Sequence, residues 1–119
     1  MNPFTTPDRI LISRRPQDMR AGIQRLAAIV TTDFGMDPTD GALYCFVSRD
    51  CLKMKLLRFD TNGFCMYYAK LAEGAFRWEH SADGAVSLRI ERRQLVWLLD
   101  GIDPIQPTAP RPVAARRVL

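Results

Sequence analysis

The sequence has few of the residues that metal centres and disulfide-stabilised proteins require. Its 119 residues include three cysteines and one histidine, and no two cysteines have the CxxC spacing. Zinc ligands would have to come from distant segments, so we predict no metal site and no cofactor. An odd number of scattered cysteines also predicts reduced thiols and a cytoplasmic protein.

Long apolar runs are missing as well. No stretch of about 18 apolar residues occurs, which is the length a membrane-spanning helix needs. The first ten residues, MNPFTTPDRI, lack the apolar segment of a signal peptide. The sequence therefore predicts neither secretion nor a membrane partner.

Catalytic motifs are also missing. The chain has no phosphate-binding glycine loop and no nucleophile motif. Metal-dependent phosphoryl transfer needs converging carboxylates, but Asp18, Asp60 and Asp83 fall at a predicted helix start and in two predicted turns. His80 follows Glu79 with no second histidine or nucleophile nearby, which is typical of an ordinary loop histidine. We therefore predict that the protein is not an enzyme.

The composition that remains is that of a mildly basic globular domain. Hydrophobic residues make up 47% of the chain and charged residues 25%, and the net charge is +4. This charge permits DNA or another polyanion as a partner. Many basic proteins without such a partner have the same balance, so the charge alone does not decide between them.

Periodicity predicts an α+β fold. The apolar residues Met19, Ile23, Leu26, Val30 and Phe34 recur at helical spacing, which predicts one long helix that begins near Asp18 and ends at Gly35. Gly22, inside this helix, would mark a close backbone approach. The segments predicted as strands are RILIS, ALYCFVSR, LKMKLLRF, FCMYYAKL, AFRW and VSLRI, with a hairpin turn at DTNG.

The C-terminal part is predicted to close the domain and then to lose regular structure. ERRQLVWLLDGI has the spacing of a short helix. Residues 104–119 contain four prolines together with Arg111, Arg116 and Arg117, which is typical of a flexible tail. The expected organisation is one domain over residues 1–103, an antiparallel meander packed against one long helix and closed by the short one.

Four segments carry a family resemblance: DMRAGIQRLAAIV, ALYCFVSRD, KLLRFDTNGFCMYYAKLAEGAFRW and LLDGID. In this order and spacing, from about Ile10 to Asp103, they resemble the TnpB (Orf2-like) accessory proteins of the bacterial insertion sequence family sixty-six. These are distinct from the RNA-guided nuclease of the same name. The positions that match the family's recurrent residues are Asp18, Met19, Arg20, Gly22, Lys55, Asp60, Gly63, Tyr68, Leu71, Gly74, Phe76 and Trp78.

The resemblance implies an accessory protein of DNA transposition and a separately encoded transposase as its partner. It implies no catalytic residues. The sequence departs from the family pattern at Arg58, where an aromatic residue is common, and this makes the hairpin more basic. It also has Glu91 and Arg92 where a Thr/Ser-Pro pair often begins the last helix, so that helix start is less well defined.

Two basic clusters are candidate DNA contacts. The first belongs to the hairpin and comprises Arg49, Lys53, Lys55, Arg58 and Lys70, with Lys53 and Lys55 expected on the solvent face. The second surrounds the first helix start and comprises Arg14, Arg15 and Arg20. The alternatives are that the lysines only keep an exposed strand soluble and that Arg20 pairs with Asp18.

Two aromatic residues are candidate contacts for a partner protein. Trp97 stands beside the leucines that fill the core stripe of the last helix, and Tyr68 lies on the returning strand of the hairpin. Two functional hypotheses follow, a DNA-binding accessory protein and an adaptor that binds the transposase with little DNA contact. A sheet edge would also allow dimers through strand addition, but the sequence alone assigns no edge.

Overall fold

A computed structural model describes residues 9–78, 80 and 86–101. The elements, in chain order, are β1 (Ile10–Ser13), α1 (Ile23–Thr32), β2 (Leu43–Val47), β3 (Lys53–Asp60), β4 (Gly63–Lys70), β5 (Ser87–Ile90) and α2 (Arg92–Leu99). The α+β class is therefore confirmed. The predicted tail, residues 104–119, lies outside the described residues, and the domain boundary at residue 103 stays a prediction.

The five strands form one mixed sheet with the order β4-β3-β2-β1-β5. The pair β1–β2 is parallel, and the other three pairs are antiparallel. The prediction of a simple antiparallel meander is therefore wrong. A parallel pair needs a crossover connection, and the segment between β1 and β2 supplies it with α1.

The first helix is shorter than predicted. It has 10 residues, and Gly22 is its N-cap in extended backbone, with nothing within 4 Å of where a Cβ would lie. The expectations of one long helix and of a close approach at Gly22 are both wrong. Before the helix, the carboxylate of Asp18 accepts hydrogen bonds from the backbone and side chain of Arg20, so this carboxylate organises a turn and does not cap α1.

Each face of the sheet carries its own apolar core. On one face, α1 packs through Leu26 and Val30 against the side chains of Tyr44, Phe46 and Leu57. The opposite face packs against α2 and the segment before β5, and its buried residues include Ile12, Val47, Met54, Leu56, Phe76, Trp78, Leu95 and Leu98. Strand β2 is buried along its whole length because it lies in the middle of these two layers.

The segment AFRW is not a strand. Residues 75–78 have no regular secondary structure, although Phe76 and Trp78 are buried. The indole N–H of Trp78 donates a hydrogen bond of 3.0 Å to the carbonyl of Ser13. The segment is therefore anchored by two buried aromatic side chains, by this hydrogen bond and by a second one from the N–H of Phe76 to the carbonyl of Cys51.

The hairpin and the last helix agree with the sequence. Asp60 pairs with Gly63, and Thr61, in the turn, has a φ of 60°. The backbone N–H of Glu91 donates to the side-chain oxygen of Gln94 at 2.6 Å, and this bond marks the start of helix α2. The departure from the family pattern at Glu91 and Arg92 had made this helix start less well defined in the sequence. Within the described residues, no helix is long and apolar enough to cross a membrane.

Candidate nucleic-acid interface

An open groove of about 450 Å³ lies between the loop that precedes α1 and the β2–β3 connection. We call it the basic groove. It brings together three of the predicted DNA contacts, and its lining consists of Asp18, Met19, Arg20, Ser48, Arg49, Asp50 and Lys53. Three cationic side chains face two carboxylates here, so the groove has a small excess of positive charge.

The connection Ser48–Leu52 is a tight loop that presents Arg49. The Ser48 hydroxyl donates to the Asp50 carboxylate at 2.6 Å, and the same carboxylate accepts the Leu52 N–H at 3.0 Å. These bonds lower the pKa of Asp50 below its ordinary value, the Ser48 hydroxyl contributing most. Arg49 is exposed and makes no hydrogen bond or ion pair within the described part of the chain. Its guanidinium is therefore available to a ligand.

Arg20 is less available than Arg49. Its guanidinium contacts both Asp18 oxygens, and the shortest distance, from Nη2 to Oδ2, is 2.7 Å. Hydrogen bonds from the Arg20 side chain and then from its backbone N–H hold the pKa of Asp18 far below its usual range. The alternative that Arg20 pairs with Asp18 is confirmed, although the Arg20 side chain remains 91% exposed.

Lys53 and Lys70 lie directly opposite each other. They are register partners on β3 and β4 and lie on the α1 side of the sheet. Lys53 is 3.9 Å from an Asp50 oxygen, whereas Lys70 is exposed at the end of its strand. Like charges in directly opposed positions destabilise a strand pair. A bound anion would relieve that repulsion.

Lys55 is not exposed to solvent. It lies on the same face as Lys53, but it is only 8% exposed and its Nζ donates to the carbonyls of Met19 at 2.7 Å and of Ala21 at 2.9 Å. The ammonium also lies 5.7 Å from the centre of the Tyr68 ring. The expectation of a solvent-facing Lys55 is wrong, because tertiary contacts hold its charge against the loop that precedes α1.

The other predicted basic contacts are not part of this groove. Arg58 lies on the opposite face of the sheet, where it pairs in register with Cys65. Arg15 lies 3.9 Å from Asp33 at the end of α1, and the backbone N–H of Arg14 donates to the carbonyl of Val86. Of the eight basic residues that the sequence selected, the groove and the lysine pair beside it therefore bring together Arg20, Arg49, Lys53 and Lys70.

The two predicted partner contacts lie on opposite faces of the sheet. Tyr68 is 52% exposed on β4, on the α1 side. Trp97 is half-buried on α2 and lines a second open groove of about 710 Å³, which we call the α2 groove, with Glu91, Arg92, Arg93 and Val96. The Arg93 guanidinium lies 5.8 Å from the Trp97 ring centre, and Val96 is 40% exposed.

One pair of polar side chains was not found from the sequence. The Cys51 Sγ lies 3.9 Å from His80 Nε2, although 28 residues separate the two in the chain. His80 Nε2 also lies 3.1 Å from the carbonyl of Ser48, which can only accept a hydrogen bond, and the Cys51 thiol lies 3.4 Å from the carbonyl of Trp78. Burial, and then the charge of Asp50, raises the pKa of the Cys51 thiol. The pair is therefore not an activated nucleophile.

The carboxylate, thiol and imidazole groups of the described residues are the side chains that a metal site would require. Among the described residues, no group of three or more His, Cys, Asp or Glu side chains could hold a metal ion. Asp83 lies outside the described residues, and Asp18 and Asp60 belong to separate turns. The three cysteines are free, and burial raises the pKa of the Cys45 thiol well above its ordinary value.

The fold and the groove define a small α+β protein with a mixed sheet between two helices and a basic groove at one end of β3. Comparison with known families identifies the family to which the chain belongs. Residues 8–109 match the family described as IS66 Orf2 like protein, and the chain belongs to that family. The resemblance drawn from the sequence is thereby confirmed.

Two relatives from Sinorhizobium fredii (strain NBRC 101917 / NGR234) illustrate the similarity. Uncharacterized protein y4hO is 35% identical over 95 residues, which cover 80% of this chain and 81% of the relative. Uncharacterized protein y4jC is 28% identical over 95 residues and covers 80% of each. No solved structure matches the chain.

The structure gives physical roles to several positions that carried the resemblance. Lys55 joins β3 to the loop that contains Met19, and Tyr68 covers the same ammonium. Phe76 and Trp78 fill the core on the α2 side. These positions therefore serve the fold, whereas the exposed cations of the basic groove are the part of the site open to a ligand.

Proposed function

We propose that this protein is a non-catalytic accessory protein of DNA transposition that binds the DNA backbone through its basic groove. Membership of the IS66 Orf2-like family suggests the accessory role. The observation that carries the DNA contact is the opposed pair Lys53–Lys70 beside the exposed Arg49, which has no ion-pair partner among the described residues.

The chemistry of the groove favours phosphate as its ligand. Arg49 offers a planar guanidinium that can bind a phosphate through two N–H groups. Lys53 and Lys70 present two neighbouring ammonium groups whose mutual repulsion falls when an anion lies between them. The exposed cations of the groove, Arg49 and Lys53, are of the residue types that contact phosphate oxygens. We therefore propose a backbone contact with sequence-independent affinity.

The second part of the proposal concerns the partner. Family resemblance implies a separately encoded transposase, and we propose that the accessory protein helps to hold that enzyme on the ends of the element. The arginines at positions 111, 116 and 117 would add to the DNA affinity, because each cation that meets a phosphate contributes to binding.

Fluorescence anisotropy with labelled duplex DNA tests the DNA contact. Wild-type protein should bind at about 50 mM salt and weaken steeply towards about 200 mM. Lys53→Met and Lys70→Met should each reduce the log–log salt slope by about 0.9, the loss of one phosphate contact. Arg92→Ala, a charge change on the other side of the sheet, is the matched control and should leave the slope unchanged.

Each outcome of the anisotropy experiment bears on a different part of the proposal. Absence of binding at about 50 mM salt would refute the DNA proposal. A salt slope that Lys53→Met and Lys70→Met leave unchanged would move the contact away from the basic groove. A duplex with a terminal repeat of such an element, compared with a scrambled duplex, shows whether any sequence preference accompanies the backbone contact.

The α2 groove supports a second candidate function, the adaptor. Its exposed Val96 and half-buried Trp97 form an apolar strip beside Arg93, which is a composition typical of protein contacts. Val96→Asp should then abolish capture of the transposase in a pull-down and leave DNA anisotropy unchanged. Equal capture by wild type and variant would refute this candidate.

A further inference from the structure

Strand β4 forms one edge of the sheet. In the described part of the chain, β3 is the only strand that pairs with it. This edge is eight residues long, whereas β5 at the opposite edge has four residues and includes the exposed Arg89. The β4 edge is therefore the longer template for pairing with another strand.

The register shows which β4 backbone groups point outward. A two-residue turn closes on a hydrogen-bonded pair, here Asp60–Gly63, and such pairs alternate along an antiparallel ladder. Just beyond the strand, the N–H of Leu71 donates to the carbonyl of Leu52, which continues the same alternation. The odd-numbered residues of β4 therefore bond to β3, and the N–H and C=O groups of Phe64, Met66, Tyr68 and Lys70 point away from the sheet.

The β4 edge has few of the features that usually prevent pairing. It contains no proline, and its register with β3 runs from Lys53–Lys70 to Asp60–Gly63 without a bulge. Its one charged residue, Lys70, lies at the end of the strand. The exposed aromatic Tyr68 lies beside the outward groups. Edge strands that do not pair with a strand of another molecule are commonly short, bulged or charged.

We propose that the β4 edge binds a second copy of this chain, with the two β4 strands antiparallel. Only residues whose backbone N–H and C=O groups point away from the sheet can form hydrogen-bonded pairs with the partner strand. These residues are Phe64, Met66, Tyr68 and Lys70, so each must lie opposite one of the same four residues in the second copy. The register centred on Tyr67 uses all of them. It places Met66 opposite the partner's Tyr68 and forms about eight N–H···O bonds.

Charge does not oppose this self-pairing. In the register centred on Tyr67, each Lys70 lies opposite the partner's Phe64. Six residues of extended strand, about 20 Å, then separate the two Lys70 residues. That distance exceeds the Debye length of about 8 Å at physiological ionic strength. The exposed Tyr68 ring gains a methionine thioether as its neighbour, a favourable sulfur–aromatic contact.

The symmetry of this pairing has a structural consequence. Two antiparallel edge strands in one continuous sheet are related by a two-fold axis perpendicular to the sheet. The α1 faces of both copies then lie on the same side, together with Lys53 and Lys70 of each copy. The dimer itself does not depend on the DNA proposal, since it rests on the strand edge alone.

Light scattering coupled to size-exclusion chromatography tests the proposal on the full chain. Across about 1 to 200 μM protein, the mass should rise from that of one chain to that of two. Tyr68→Pro removes one outward N–H and should give a monomer at every concentration. Tyr68→Ala removes the same ring but keeps the N–H, so it should still dimerise, with affinity reduced about thirtyfold or less, since the symmetric pairing loses two Tyr68–Met66 contacts.

Hydrogen exchange on the wild-type protein gives a second test that needs no variant. The amides of Phe64, Met66 and Tyr68 should exchange more slowly as the protein concentration rises. The amides of Cys65 and Tyr67, which bond to β3, should be protected at all concentrations. A wild type that stays monomeric at about 200 μM, or a dimer in which the outward amides keep their monomer rates, would overturn the proposal.

Discussion

Lys55 provides the sharpest test of how the loop before α1 is held. We consider the substitution Lys55→Met, which keeps the length and apolar stem of the side chain and removes the ammonium. In the native protein this ammonium is buried and donates to the carbonyls of Met19 and Ala21. The variant leaves both carbonyls without their donor.

The expected loss of stability follows from these two bonds. Hydrogen bonds from a charged donor contribute about 1.5 to 3 kcal/mol each, so the pair gives about 3 to 6 kcal/mol. Burying a methionine in place of an ammonium returns about 1 to 2 kcal/mol. The net destabilisation should therefore be about 1 to 5 kcal/mol, which lowers the melting temperature by about 4 to 20 °C for a domain of this size.

Lys53→Met is the matched control. Lys53 lies on the same strand and the same face, but its only ion pair, among the described residues, is the 3.9 Å contact with Asp50. Its substitution should change stability by no more than about 0.5 kcal/mol. The effects on DNA binding should be the opposite of those on stability. Lys53→Met should lower the salt slope by about 0.9, and Lys55→Met should leave it unchanged.

Urea denaturation followed by tryptophan fluorescence measures the stabilities, and anisotropy at several salt concentrations measures the slopes. If Lys55→Met is as stable as wild type, the proposed clamp on the loop is refuted. If Lys55→Met lowers the salt slope as much as Lys53→Met does, Lys55 meets phosphate, and its buried position does not describe the DNA-bound protein.

Three further predictions test the core and the groove. Trp78→Phe removes the indole N–H that donates to a carbonyl at the end of β1 and should cost about 1 to 3 kcal/mol in urea denaturation; an unchanged midpoint would contradict this. Tyr44→Phe removes the hydroxyl that contacts both Asp40 oxygens at 3.0 Å, so stability should fall by about 1 to 2 kcal/mol, and a smaller loss than about 0.5 kcal/mol would argue against that bond. Arg20→Ala should return the pKa of Asp18 towards its ordinary 3.8, as followed by carboxyl NMR. A carboxyl whose pKa is lowered by folding stabilises the protein at pH values above its unfolded-state pKa. The difference in stability between wild type and variant should therefore disappear as the pH falls through the folded-state pKa of Asp18.

Local sequence signals were enough to predict most of the secondary-structure elements of this protein. Alternation and turn residues located β1, β2, the β3–β4 hairpin, β5 and α2, because these signals need only neighbouring residues. The same segments established the family. The basic residues of the hairpin were found in the same way, since charge is visible without a fold.

The length of α1 could not be predicted because a distant residue decides it. Helical spacing begins at Met19, but a helix from there would need the carbonyls of Met19 and Ala21 to accept N–H groups four residues later. In the structure both carbonyls accept from Lys55 instead. The first α1 bond therefore runs from the N–H of Leu26 to the carbonyl of Gly22.

Tertiary structure also decided which cations face solvent and which strands are paired. Alternation placed Lys53 and Lys55 on one face, but it could not show that α1 and its preceding loop cover that face at Lys55 and leave it open at Lys53. The parallel pairing of β1 with β2 and the position of β4 at the sheet edge, among the described strands, likewise depend on how separate segments meet. Sequence periodicity assigns a side chain to a face, but only the packing of the whole chain determines what that face contacts.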